Sequence, residues 1–267
     1  MKPYNSLHQR EVSTYINYEQ PLNERIRTFL RLEFLFEQID HCLDRMTQSD
    51  MRMSISYLID IVDLIGRTDV KNEVIKELEK YGKNLENFQT RSGVDSDRLD
   101  SILDDIRSSL DQLRNSRMLP GQTLRNDEFI SFIKQRNNIP GGTCSFDLPS
   151  YHHWLNQKQE LHNEQFNYWM KDLIAFKNGI FLILHIIRNS SNPSLENAEN
   201  GFFQKSLETG TKCQMIRVVL ANNSPYYPEI SGGKHRFTIR FMHRPDLASR
   251  PIPATETIEF KLYCCTL

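Results

Sequence analysis

The chain has 267 residues, enough for one large domain or two unequal ones with a real core. Hydrophobic residues make up 39% and charged residues 25%, as in ordinary globular proteins, and 33 Lys plus Arg against 34 Asp plus Glu leave a net charge of −1. That balance excludes a globally basic nucleic-acid footprint and leaves room only for local patches.

Met1–Val12 reads as a flexible polar extension, and MKPYNSLHQREVSTY has no apolar region of a secretory signal. Residues 13–18 (STYINY) alternate as a strand does, with Thr14, Ile16 and Tyr18 on one side. Asn23 then offers an N-cap for a first long helix. Its apolar stripe is Ile26, Phe29, Leu32, Leu35, Phe36, Ile39, Leu43 and Met46. A second helix spans Met53–Ile65 and stops at Gly66. Thr68 or Asp69 caps a third, with Val70, Val74, Leu78, Tyr81, Leu85 and Phe88 on one face, and Gly93 ends it. Asp95 starts a fourth, striped by Leu99, Ile102, Ile106, Leu110 and Leu113. A fifth carries Phe129, Phe132 and Ile133 up to Pro140-Gly141-Gly142. The steps from Trp169 through Leu173, Phe176, Ile180 and Leu184 to Ile187 predict one long helix over Lys158–Arg188. The longest apolar run, IFLILHII at Ile180–Ile187, is far short of the ~20 residues of a spanning helix.

After Asn189 the period changes. SSNPSLENAENG reads as a polar linker, followed by alternation in QMIRVVL, HRFTIRFMH and TIEFKLYC. The fold class is therefore α+β: an N-terminal multi-helix domain followed by a small antiparallel β-sheet domain. The expected boundaries are an extension at 1–12, a helical domain at 13–192 and a β domain at 193–267. The strand at 13–18 is a candidate to pair with the C-terminal sheet.

IPGGTCSFDLPSYHHWL, Ile139–Leu155, holds the residue types of a nucleophilic site: Cys144, Ser145, Asp147 and His152. Catalytic triads draw their members from distant chain positions, and five to eight residues rarely give that geometry. The segment reads better as a turn and helix start, with Asp147 as cap, Pro149 in the first turn and Leu148, Tyr151 and Leu155 buried. Adjacent His152 and His153 point ~100° apart on a helix, so no metal site follows. DSDRLDS from Asp95 lacks the Gly and closing Glu of an EF-hand. No Walker loop, GxGxxG or HExxH occurs. Neither enzyme chemistry nor a cofactor or metal is expected. Five scattered cysteines without a CxxC fit reduced thiols in a cytoplasm.

Cation placement is more informative. Arg27 and Arg31 stand i, i+4 on the first helix, and Lys134 and Arg136 close the fifth, just before the Gly pair and His152. Arg217, Lys234, Arg236 and Arg240 fall in the polar phase of the strands. Such a face suits an acidic partner, either a protein tail or a phosphate backbone.

EQPLNERIRTFLRLEFL, IPGGTCSFDLPSYHHWL, NGFFQ and YPEISGGKHRFTIRFM, in this order, resemble the ZapD family of bacterial cell division proteins over about Tyr15–Cys265. The resemblance implies a non-enzymatic cytoplasmic factor at the mid-cell division site. It would bind the C-terminal tail of the tubulin-like FtsZ and crosslink its filaments as a symmetric homodimer, with no membrane insertion. The family's basic determinants fall on Arg31 and His152. Arg27, Lys134, Arg136, Arg217, Lys234, Arg236 and Arg240 join them as tail-binding candidates from the cation pattern. Where relatives carry a further basic residue this chain has Glu128, with Arg125 or Lys134 placed to compensate, and Met1–Val12 is longer than usual. The alternative reading is a nucleic-acid binder using the basic sheet face, against which the neutral charge argues.

Overall fold

A computed structural model describes residues 14–66, 69–89, 95–207, 213–233 and 235–266. The N-terminal extension, Thr68, Gly93 and Lys234 lie outside them. The architecture is α+β, as expected: helices, then antiparallel strands. The chain divides into two compact units, Thr28–Ile186 and Met1–Arg27 with Ile187–Leu267.

The helical unit contains most of α1 (Glu24–Arg45), then α2 (Gln48–Ile65), α3 (Val70–Glu86), α4 (Ser96–Asn115), α5 (Gln122–Arg125), α6 (Glu128–Asn137), α7 (Pro149–Leu155), α8 (Gln159–Met170) and most of α9 (Ile174–Arg188). The first helix is capped as expected, with Asn23 Oδ1 accepting the Ile26 N–H at 3.0 Å. Thr47 and Asp50 form a capping box at α2, and Asp95 Oδ1 accepts the Arg98 N–H of α4 at 3.1 Å. Phe29, Leu32, Phe36 and Ile39 of α1, Leu58 and Ile61 of α2, and Ile180, Ile183 and Leu184 of α9 are fully buried. Each contributes about 1.5–3 kcal/mol of transfer free energy. Lys177 of α9 holds both Asp40 oxygens of α1, at 2.6 and 2.8 Å.

The single helix expected over Lys158–Arg188 is two, α8 and α9, broken at Lys171–Leu173. The apolar stripe survives the break, since Trp169, Leu173, Phe176 and Ile180 are all buried. The cause is polar: Asp172 is buried, and its Oδ2 accepts the backbone N–H of Thr123 at 2.8 Å.

The second unit holds β1 (Tyr15–Pro21), β2 (Ser194–Ala198), β3 (Phe202–Ser206), β4 (Cys213–Ala221), β5 (Tyr227–Gly232), β6 (Arg236–His243), β7 (Ile252–Pro253) and β8 (Ile258–Thr266). Instead of one small sheet there are two, ordered β1-β4-β8-β2 and β3-β6-β5, with β7 on β6. Ile216, Val218 and Leu220 of the first pack with Phe237, Ile239 and Phe241 of the second around Phe260 and Leu262. The Phe241 and Phe260 ring centroids lie 5.1 Å apart. The N-terminal strand joins this unit through pairs from Tyr15↔Ala221 to Pro21↔Met215.

The stretch read as a linker contains β2, an edge strand whose polar residues face water. Asn200 and Gly201, at φ +50° and +67°, turn the chain from β2 into β3, and the Phe202 N–H closes on Glu199 O at 3.0 Å.

Candidate functional site

The candidate surface is assembled on α2, which packs against α5, α6 and α7. Asp127 starts α6, with Oδ1 accepting the Ile130 N–H at 3.1 Å and Oδ2 accepting Trp169 Nε1–H at 2.8 Å. After Asn138 the chain folds back sharply. The Ile139 N–H meets Arg136 O at 3.0 Å, the Gly142 N–H meets Ile139 O at 2.8 Å, and Gly141 takes φ +72°. A Cβ on Gly142 would lie 2.6 Å from Arg136 O, so only glycine fits this return.

The CSFDLP segment is held from α2. Arg52 Nη1 donates to Thr143 O at 3.2 Å, and its guanidinium lies 5.1 Å over the Tyr151 ring. Burial pushes the Tyr151 phenol up to about 12, against the pull of Arg52. Phe129 of α6 meets Tyr151 at 5.9 Å and Trp154 at 5.6 Å, so rings lock α6 to α7. Leu148, Tyr151 and Leu155 are buried as the spacing predicts. One detail differs. Asp147 does not cap α7; the N-cap position is Leu148, without a side-chain bond, and Asp147 Oδ2 instead accepts from Cys144 Sγ at 3.4 Å. His152 is exposed, and His153 Nε2 pairs with Gln157 at 2.7 Å.

Lys134, Arg136 and His152 are thus carried by one rigid block, all three exposed. Phe132, one turn before Arg136, is 56% exposed, and Phe146 in the loop is 84% exposed, so apolar and cationic groups stand on the same unit. An open pocket of about 470 Å³ is lined by Val62, Asp63, Gly66, Arg125 and Lys134. Lys134 is ion-paired with Asp63 there, which leaves Arg125 as its other cation. Burial, then the Asp63 charge, raises the Asp60 carboxyl. Glu128 stands in the first turn of α6, where the helix dipole favours an acid.

The remaining candidates are distributed between the units. Arg31 is exposed on α1 in the helical unit. Arg27 belongs to the sheet unit and binds Glu24 Oε2 at 2.7 Å. The strand cations do not share one face. Arg217 lies on β4, its guanidinium 4.0 Å over the Tyr263 ring, whereas Arg236 and Arg240 project outward from β6 of the other sheet. Arg240 stands between Phe202 and Glu229 in register. Lys234 lies outside the described residues. Sequence reasoning missed Arg52, which nothing in QSDMRM distinguishes, and Phe146, whose signal was an aromatic in a polar loop without a periodic partner.

The family model described as ZapD, cell division protein, matches residues 30–240. The chain is 38% identical over 253 residues to the cell division protein ZapD of Methylococcus capsulatus, covering 94% of this chain and 98% of that one. It is 37% identical over 254 residues to the cell division protein ZapD of Enterobacter sp. strain 638, covering 95% and 100% respectively.

Proposed function

The chain belongs to the ZapD family of cell division proteins, and from that premise we propose that it binds the C-terminal tail of FtsZ and crosslinks FtsZ filaments at the division ring, without catalysis of its own. Family membership over nearly the whole chain is the observation that carries this reading. The exposed cations Arg31, Arg136 and His152, together with the exposed Phe132 and Phe146, support it physically. A short tail with acidic and apolar residues docks by charge-assisted hydrogen bonds to arginine and by apolar contact beside them.

Crosslinking needs two sites per particle, which a two-fold homodimer supplies without further motifs. Each contact can be weak, because a filament presents many tails and avidity multiplies them. The protein would act in the cytoplasm at mid-cell; among the described residues no helix is long and apolar enough to cross a membrane. The test is fluorescence anisotropy of a labelled synthetic FtsZ tail peptide titrated with this protein. Saturable binding that weakens as salt rises is expected. An absence of binding at low salt overturns the reading.

A further inference from the structure

Three of the five cysteines lie in the sheet unit, and strand register decides what each can do. β4 and β8 pair Ile216 with Cys264 and Met215 with Cys265. An unbroken ladder would next set Gln214 opposite Thr266. The register slips by one residue instead, and Cys213 stands there. Residues directly opposite share a face, and successive residues alternate. Cys213 therefore joins Cys264 and Thr266 on the side facing the sheet core, where both cysteines are partly buried. Cys265 points the other way, is buried, and takes a hydrogen bond from Ser191 Oγ at 3.9 Å. The pleat thus separates the adjacent Cys264 and Cys265 and brings the distant Cys213 and Cys264 together.

The bulge is held from outside the cysteines. Gln214 Oε1 accepts Asn23 Nδ2–H at 2.8 Å, and Gln214 O accepts the Leu22 N–H at 2.9 Å. The slipped register is therefore part of the packing between β4 and the start of α1.

Cys213 Sγ–H donates to Met215 O at 3.5 Å, and its sulfur shares the core-facing side of the β4–β8 ladder with Cys264. The neighbouring Cys213 thiol, followed by the Lys205 ammonium, holds the Cys264 thiol below the ordinary thiol range, against burial and Glu196. A thiol lowered in this way ionises more readily, which makes Cys264 the more nucleophilic of the two. The Cys264 thiol, together with burial, pushes the Cys213 thiol up. Both are partly exposed, and no disulfide joins them in this state.

We propose that Cys213 and Cys264 form a reversible redox site that a hydroperoxide converts to an intramolecular disulfide between β4 and β8. The Cys264 thiolate attacks one peroxide oxygen and the O–O bond breaks, giving a sulfenic acid and hydroxide, which takes up a proton to become water. The Cys213 sulfur then attacks the Cys264 sulfur. The S–S bond forms, the S–O bond breaks, and the hydroxyl leaves with the Cys213 proton as water. Two thiols and one hydrogen peroxide become a disulfide and two waters, and a dithiol reductant reverses the change. The disulfide closes a loop containing β5, β6 and β7, so it constrains the unfolded chain.

The experiment treats the full-length protein with hydrogen peroxide and follows intact mass, non-reducing peptide maps and Tm. The expected product has lost two hydrogens, contains a peptide linking Cys213 to Cys264, returns to its original mass with dithiothreitol, and melts about 5 °C higher than the reduced form. In Cys213→Ser the expected product is a dimedone-trapped sulfenic acid at Cys264, with no disulfide. Wild-type protein that gains oxygen at Cys264 without linking it to Cys213 overturns the proposal. So does a disulfide from Cys264 to Cys265 or to a second chain.

Discussion

The backbone N–H of Thr123 donates to the carboxylate of Asp172 at 2.8 Å, a buried bond between residues 49 apart in the chain. The short helix α5 has Gly121 at its N-cap and no side-chain cap of its own, so the acid from the α8–α9 break supplies it. Asp172→Ala removes the acceptor and leaves a buried N–H unpaired, which costs about 1–3 kcal/mol. Asp172→Asn keeps an amide oxygen at the site and should retain most of that stability. Urea denaturation of the two variants checks the difference; an alanine variant as stable as wild type would contradict the account.

Arg188 holds Glu19 in a two-pronged pair, Nε and Nη2 each 2.8 Å from a carboxylate oxygen, tying the last turn of α9 to β1 within the sheet unit. Both side chains are more than half buried, so removing Glu19 takes two charge-assisted bonds from a partly desolvated guanidinium. Glu19→Ala should cost about 2–3 kcal/mol, more than Arg27→Ala at the exposed Arg27–Glu24 pair, which should cost under about 1 kcal/mol. Paired chemical denaturation curves give the comparison.

The Thr47 hydroxyl donates to Asp50 at 2.6 Å and holds that carboxyl below the usual Asp range; burial opposes the shift and Arg45 adds to it. A carboxyl whose folded value is depressed stabilises the protein above its unfolded value of about 3.9, and that stabilisation is lost as pH falls through the folded value. Thr47→Ala should therefore lower Tm at neutral pH, with a difference from wild type that shrinks under acid. Thermal melts across pH 2.5–7 test this, and a difference that grows toward low pH would refute it.

Gly201 closes the β2–β3 turn at φ +67°, and a Cβ there would lie 2.7 Å from Ala254 O. Both the backbone and the neighbour oppose a side chain, so Gly201→Ala should destabilise by about 1–3 kcal/mol. A melt unchanged from wild type would show that the turn relaxes freely.

Much of this fold was legible in the sequence because burial follows period. The stripes of α1, α3 and α4, and the inward phases of β4, β6 and β8, needed only hydrophobic spacing. The α8–α9 break was hidden because the stripe continues through it; the interruption is a polar bond to a residue 49 positions away. The β2–β3 turn was hidden for the opposite reason. Its strand is a polar edge, and only Asn200-Gly201 signalled the turn. At the candidate site, the Gly pair and the buried face of α7 were readable locally. The separation of Arg217 from Arg236 and Arg240 was not, since alternation gives a side chain's face within a strand and does not reveal which sheet that strand enters.

The most direct measurement of the central claim is light scattering from polymerising FtsZ with this protein added, using intact FtsZ and FtsZ lacking its C-terminal tail, with Arg31→Glu run in parallel. Arg31 is exposed, so its reversal should change folding stability by no more than about 0.5 kcal/mol. A rise is expected with intact FtsZ and wild-type protein only. A rise with tail-less FtsZ, or no rise with intact FtsZ, would contradict it.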